Sequence, residues 1–112
     1  ALRAAALVIS RAGSGSIYEI ALFGKASILI PIPEEISHDQ RLNAYAYART
    51  GAAVVMEEKN LTPHLLTAEI RRIMGGQALR MRMESAARKF APPDAAQKIA
   101  SILITIGLSH ER

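Results

Sequence analysis

The sequence predicts an α/β domain, a parallel sheet flanked by helices, and three observations predict it. Short apolar runs rich in β-branched residues recur at Ala5–Ser10, Ala26–Ile30 and Ala52–Met56, as expected of strands covered on both faces. Helix-length segments with one apolar side alternate with these runs at the spacing of βαβ units, whose right-handed crossovers make neighbouring strands parallel. Glycines stand where those helices should stop, at Gly24, Gly51 and Gly75-Gly76, because glycine tolerates the backbone of a helix end.

The first strand, Ala5–Ser10, runs into a turn of small residues, Ala12-Gly-Ser-Gly-Ser16. Ser16-Ile-Tyr-Glu19 fits a capping box, in which a serine and a glutamate three residues on satisfy the first helical N–H groups. Ile17, Ile20, Ala21 and Phe23 then give that helix an apolar side. The second strand is stopped by Pro31-Ile-Pro33, and a polar loop with Glu34, Glu35, Ser37 and His38 leads to a helix over Gln40–Thr50. After the third strand, Thr62 as cap and Pro63 in the first turn start a helix that runs to Met74. Gln77–Phe90 reads as a basic helix, broken by Pro92-Pro93, and Asp94 caps a last helix over Ala95–Ile106.

The 112 residues suffice for one compact domain and are too few for two. The chain starts without Met, directly before a strand, and is expected to be part of a longer protein. It has no Cys, which removes disulfides and thiolate chemistry and fits a cytosolic setting. The longest apolar run, Ile99–Leu108, is interrupted by Ser101, Thr105 and Gly107 and falls short of a bilayer span. The net charge of +4 is concentrated in Arg71, Arg72, Arg80, Arg82, Arg88 and Lys89. Such residues either form a solvated helical face or attract anions. With 4% aromatic residues and no Trp, stacking platforms for nucleic acid are poorly supplied.

Two stretches can carry a ligand. In Ser14-Gly-Ser16 small side chains expose backbone N–H groups at the positive end of a helix, where phosphate is held; an ordinary tight strand–helix turn has the same composition. The turn is neither a P-loop nor a strict G-x-G-x-x-G. Glu19 either closes the helix start or accepts hydrogen bonds from paired sugar hydroxyls. At the second stretch, Gln40 and Asn43 lie three apart on one helical face and offer amide donors and acceptors suited to hydroxyls. Alternatively they face water, with Asp39 as the helix cap. His38, His64 and His110 lack metal-ligand spacing, and Glu34 and Glu35 are a poor carboxylate pair for acid–base work. His38 is the one candidate base, with a loop position beside a ligand as its other reading.

Taken together, Ser10-Arg-Ala-Gly-Ser-Gly-Ser-Ile-Tyr-Glu-Ile20, Lys25-Ala-Ser-Ile-Leu-Ile-Pro-Ile-Pro33, His38-Asp-Gln-Arg-Leu-Asn-Ala44, Gly51-Ala-Ala53 and Leu61-Thr-Pro63 resemble the MurG-type family of UDP-N-acetylglucosamine transferases of peptidoglycan synthesis. The resemblance implies a Rossmann-like parallel sheet, the C-terminal half of a two-domain GT-B glycosyltransferase, with residues 1–112 as its N-terminally truncated donor domain and the acceptor domain absent. It implies inverting transfer of N-acetylglucosamine from UDP-N-acetylglucosamine to lipid I, the undecaprenyl-pyrophosphoryl-muramoyl-pentapeptide, giving lipid II, with no metal and no cofactor. Substrate-binding residues carried over by motif position are Ser14, Gly15, Ser16, Ile17, Tyr18 and Glu19, with Asp39, Gln40 and Asn43. Ser16 and its neighbours would meet the diphosphate, Glu19 the ribose, and Gln40 and Asn43 the sugar ring. Family members often carry Gln or Asn in place of Asp39, and a small residue in place of Tyr18. The uracil-contacting segment, the catalytic base and the membrane-docking patch would lie outside this chain, so no catalytic residue is assigned within it. The full enzyme would be cytoplasmic and peripheral on the inner membrane. Its rivals are another UDP-sugar-dependent lipid glycosyltransferase, including a split two-chain enzyme, and a non-catalytic nucleotide-sugar-binding module.

Overall fold

A computed structural model describes residues 5–33, 36 and 38–91. Three strands, β1 (Leu7–Ser10), β2 (Ala26–Leu29) and β3 (Ala53–Val55), form a parallel sheet in the order β1-β2-β3. Leu7 is level with Ala26 and Ser10 with Leu29; Ser27 is level with Ala53 and Leu29 with Val55. Helix α1 (Ser14–Leu22) connects β1 to β2, and α2 (His38–Ala48) connects β2 to β3. A short 3₁₀ turn over Glu58–Asn60 then precedes α3 (Pro63–Gly75) and α4 (Gln77–Phe90). The α/β reading of the sequence is thus the observed architecture.

Alternation along β2 divides the core between two faces. Leu29 joins Ile17, Ile20 and Ala21 of α1 and Ala44 and Tyr47 of α2 on one side. Ala26 and Ile28 join Ile73 of α3 and Met83 of α4 on the other. All four β2 residues are buried, which explains why this strand reads as an uninterrupted apolar run. Helices α1 and α2 share a face because successive right-handed crossovers in one direction put them there. The chain then turns back, and α3 contacts β1 from the opposite face. Helix α4 contributes to both clusters, Met83 to one and Ala87 to the other.

Two helix starts differ from expectation. Helix α1 begins at Ser14 with Gly13 as its cap (φ −65°, ψ 147°) and no side-chain cap bond. The capping box at Ser16 and Glu19 is therefore not formed: Ser16 is already inside the first turn. Helix α2 begins at His38, which places Asp39 in the first turn and not at the cap. The strands are one or two residues shorter than their apolar runs. Thr62 caps α3 as expected, its hydroxyl accepting from Leu65 N at 3.1 Å. Glu34, Glu35 and Ser37, the Pro92-Pro93 break and the helix expected over Ala95–Ile106 lie outside the described residues.

Gly24 ends α1 with φ +63°, a backbone that favours glycine, and a Cβ there would sit 2.7 Å from Arg88 Cγ. Part of the basic surface serves the fold. Arg80 donates to the carbonyl of Met74 at 2.7 Å, closing the end of α3, and Arg72 pairs with Glu69 at 2.9 Å.

Tyr47 is 1% exposed, meets the Phe90 ring edge-on at 4.9 Å, and its hydroxyl has no hydrogen-bond partner among the described residues. Burial pushes its pKa up to about 12, so it is a neutral phenol. An unpaired buried hydroxyl costs about 1–3 kcal/mol. Tyr47→Phe, which keeps the ring contact, is accordingly expected to hold or raise the melting temperature. A clear fall would show that a bound water pairs the hydroxyl in solution.

Candidate functional site

All three strands point their carboxyl ends the same way, so the segments after β1, β2 and β3 gather at one edge of the sheet. Ligands of open α/β sheets bind at that edge. Two backbone bonds continue the ladder beyond the strands, Ile30 N to Ser10 O at 2.8 Å and Met56 N to Leu29 O at 2.9 Å. Side chains then tie the segments together. Arg11, after β1, donates to Ile30 O at 3.4 Å and pairs with Glu58, after β3, at 3.4 Å.

The segment after β1 is the start of α1. The first intrahelical bond there runs from Ile17 N to Gly13 O at 3.0 Å. The N–H groups of Ser14, Gly15 and Ser16 precede it and have no intrahelical acceptor. Among the described residues no side chain caps them, and no acidic residue lies in the first turn. Uncapped amides at the positive end of a helix dipole make an anion cradle.

Gly15 is exposed, and a Cβ built on it meets nothing within 4 Å. Neither backbone nor packing requires glycine at this position. Glu19, four residues on, shares a helical face with Gly15 and is also exposed. The two are separated by about 6 Å along the axis. With the capping box unformed, the Glu19 carboxylate is not engaged at the helix start. Ile17 is the inward member of this run, 5% exposed, with its N–H already given to Gly13.

The segment after β2 brings α2 against this cradle. Gln40 Oε1 accepts from Ile32 N at 3.1 Å, and its Nε2 lies 3.8 Å from where a Gly13 Cβ would stand. One side chain thus bridges the loop after β2 and the turn after β1, with its amide donors on the turn side. Asn43, one turn further along α2, joins Ser14, Tyr18 and Tyr47 around a cavity of about 170 Å³. Asp39 and His38 are exposed on the first turn of α2.

The segment after β3 supplies residues that sequence reading passed over. Glu57 accepts from Arg41 Nε at 2.9 Å on one carboxylate oxygen and from the Tyr45 hydroxyl at 2.9 Å on the other. The Arg41 hydrogen bond, aided by that from Tyr45, holds the Glu57 carboxyl below the usual carboxylate range. Burial, with the carboxylate beside it, raises the Tyr45 phenol. Arg41 and Tyr45 stand one helical turn apart, a visible spacing. Their acceptor is 12 to 16 residues away across β3, beyond the range of helical periodicity.

Among the described residues no group of three His, Asp or Glu gathers in a way that could hold a metal, and no helix is long and apolar enough to cross a membrane. The free amides at the start of α1 can hold an anion, and the carboxylate and amide side chains around them can bond hydroxyls.

Residues 1–99 match the glycosyltransferase family 28 C-terminal domain. The chain is 39% identical over 102 residues to the UDP-N-acetylglucosamine–N-acetylmuramyl-(pentapeptide) pyrophosphoryl-undecaprenol N-acetylglucosamine transferase of Phenylobacterium zucineum, covering 91% of this chain and 28% of that protein. It is 41% identical over 106 residues to the transferase of the same name from Sorangium cellulosum, covering 95% of this chain and 26% of that protein. The crystal structure of Acinetobacter baumannii MurG superposes with a TM-score of 0.71 at 31% identity, over 90% of this chain and 29% of that one. The chain thus spans between 26% and 28% of the length of these two curated relatives.

Proposed function

The chain belongs to the glycosyltransferase family 28 C-terminal domain family, and from that premise we propose that it is the donor-binding part of an inverting lipid II-forming transferase. The donor is UDP-N-acetylglucosamine and the acceptor lipid I. The observation that carries the reading is the uncapped start of α1, faced by the amide of Gln40 and bordered by Gly15 and Glu19. A nucleotide sugar has a diphosphate for the amides of Ser14, Gly15 and Ser16, ribose hydroxyls for Glu19, and ring hydroxyls for Gln40 and Asn43. Tyr18 lines the cavity beside Asn43, and Asp39 is exposed on the first turn of α2.

In this reading the acceptor hydroxyl attacks the anomeric carbon directly while the bond to UDP breaks. The charge developing on the leaving diphosphate falls on the α1 amides, which are aligned beforehand. Nothing in this chain is assigned as the base; that group, the uracil wall, the acceptor site and the peripheral contact with the cytoplasmic membrane face belong to the rest of a longer enzyme. The apolar edge of β1 favours a longer sheet. Among the described residues β1 pairs only with β2, and Ile9 is 44% exposed, an arrangement that proteins normally cover.

Gly15→Ala in the complete enzyme tests the reading, with transfer of labelled N-acetylglucosamine to lipid I as the assay. The added methyl improves helix propensity by up to about 1 kcal/mol, so the melting temperature holds or rises. The same methyl stands over the amides, and the KM for UDP-N-acetylglucosamine rises severalfold. An unchanged donor KM, or no transfer to lipid I by the parent enzyme, would overturn it.

A further inference from the structure

We infer that Glu57 is a positioning residue for the donor sugar, acting through α2; the inference rests on the donor-site reading above. Glu57 directly follows β3 and uses both carboxylate oxygens on one helix, taking Arg41 Nε at 2.9 Å and the Tyr45 hydroxyl at 2.9 Å. The Arg41 guanidinium also lies over the Tyr45 ring, 5.2 Å from its centre, so the three groups are in mutual contact.

That contact matters because of what else holds α2. Its buried residues are Ala44 and Tyr47: the Tyr47 ring anchors the C-terminal half against Phe90, whereas the alanine contact nearer Gln40 and Asn43 is smooth and resists rotation or sliding weakly. Gln40 and Asn43 stand on the face turned to the α1 start, and Arg41 and Tyr45 on the adjoining one. Fixing the second pair to the sheet fixes the azimuth of the first. The Ile32 N–H on Gln40 Oε1 at 3.1 Å settles which way round the amide points, but not how far α2 is rotated. Exposed ion pairs contribute little by themselves. Here the Glu57 side chain is 21% exposed, and its two bonds diverge to residues one turn apart, a geometry that restrains orientation.

The test is steady-state kinetics on the complete enzyme with UDP-N-acetylglucosamine and lipid I. Glu57→Ala is expected to raise the donor KM about fivefold or more with kcat within about twofold, and Glu57→Gln, which can bond both partners, to restore it. In a Gln40→Ala background, Glu57→Ala is expected to add less than about twofold, because it acts through the same helix face. A lower melting temperature with unchanged donor KM, or penalties that multiply in the double variant, would overturn the inference. Should Glu57→Ala fail to fold, Tyr45→Phe removes one bond and keeps the ring. Its expected rise of about twofold must vanish in the Gln40→Ala background, and no rise at all counts against the inference. Donor KM unmoved by Gln40→Ala and Asn43→Ala alike would take down the donor-site reading itself.

Discussion

Ser16→Asp is expected to make the protein more stable and the complete enzyme nearly unable to use its donor. Ser16 is the third residue of α1, inside the first turn, which holds no acidic residue and, among the described residues, no side-chain cap. A carboxylate there meets the unpaired amides and the positive end of the helix dipole, adding about 0.3–1 kcal/mol. The same carboxylate occupies the place assigned to the diphosphate. Two unit charges about 4 Å apart at an effective dielectric of about 20 repel by about 4 kcal/mol. Even after salt screening this corresponds to a rise in donor KM of about a hundredfold or more. Ser16→Asn, of the same size without the charge, separates the electrostatic loss from crowding and should cost far less. Thermal melts and donor kinetics read the two effects independently. A stabilised Ser16→Asp variant with normal donor KM would put the diphosphate elsewhere.

The opposed signs in that prediction reflect how the site is built. An N-terminal turn optimised for stability would carry Asp, Ser or Thr at the cap and Ala within the helix. This one carries Gly13 at the cap and Gly15 in the first turn, and neither has φ above zero. The backbone does not need them. Stability is given up where the proposed ligand approaches, and the packed side of the same helix, through Ile17, Ile20 and Ala21, holds the turn in place.

What could be read from sequence follows from the range of the forces involved. β2 stands out as an apolar run because it is covered on both faces, and Thr62-Pro63 marks a helix start through bonds within four residues. Strand ends are less sharp. Ile30 and Met56 still donate ladder bonds to Ser10 and Leu29, so their apolar character continues past the regular strand. The capping-box misreading arises because Gly13-Ser-Gly-Ser16 lets a helix begin at Ser14 or later with little local preference; the extended backbone at Gly13 decides it. Glu57 could not be read because its partners lie on another element, and only the folded sheet brings the exit of β3 against α2.

Glu19 is where the structure changes the expectation most. Had it closed the helix start, Glu19→Ala would chiefly lower stability. Helix α1 begins five residues before it, at Ser14, and Glu19 stands exposed on the face that carries Gly15, so no cap is lost on truncation. Alanine is also the better helix former. The melting temperature of Glu19→Ala is therefore expected to stay level or rise slightly. The donor KM is expected to rise about tenfold or more, since hydrogen bonds to a charged group contribute about 1.5–3 kcal/mol each. The partner can be identified in the same assay with a donor whose ribose lacks one hydroxyl. The parent enzyme should discriminate against the deoxy donor, and Glu19→Ala should accept both donors with nearly equal KM, because the group that told them apart is gone. Discrimination that persists unchanged in Glu19→Ala would assign the ribose to another residue and leave Glu19 as a solvated helix position.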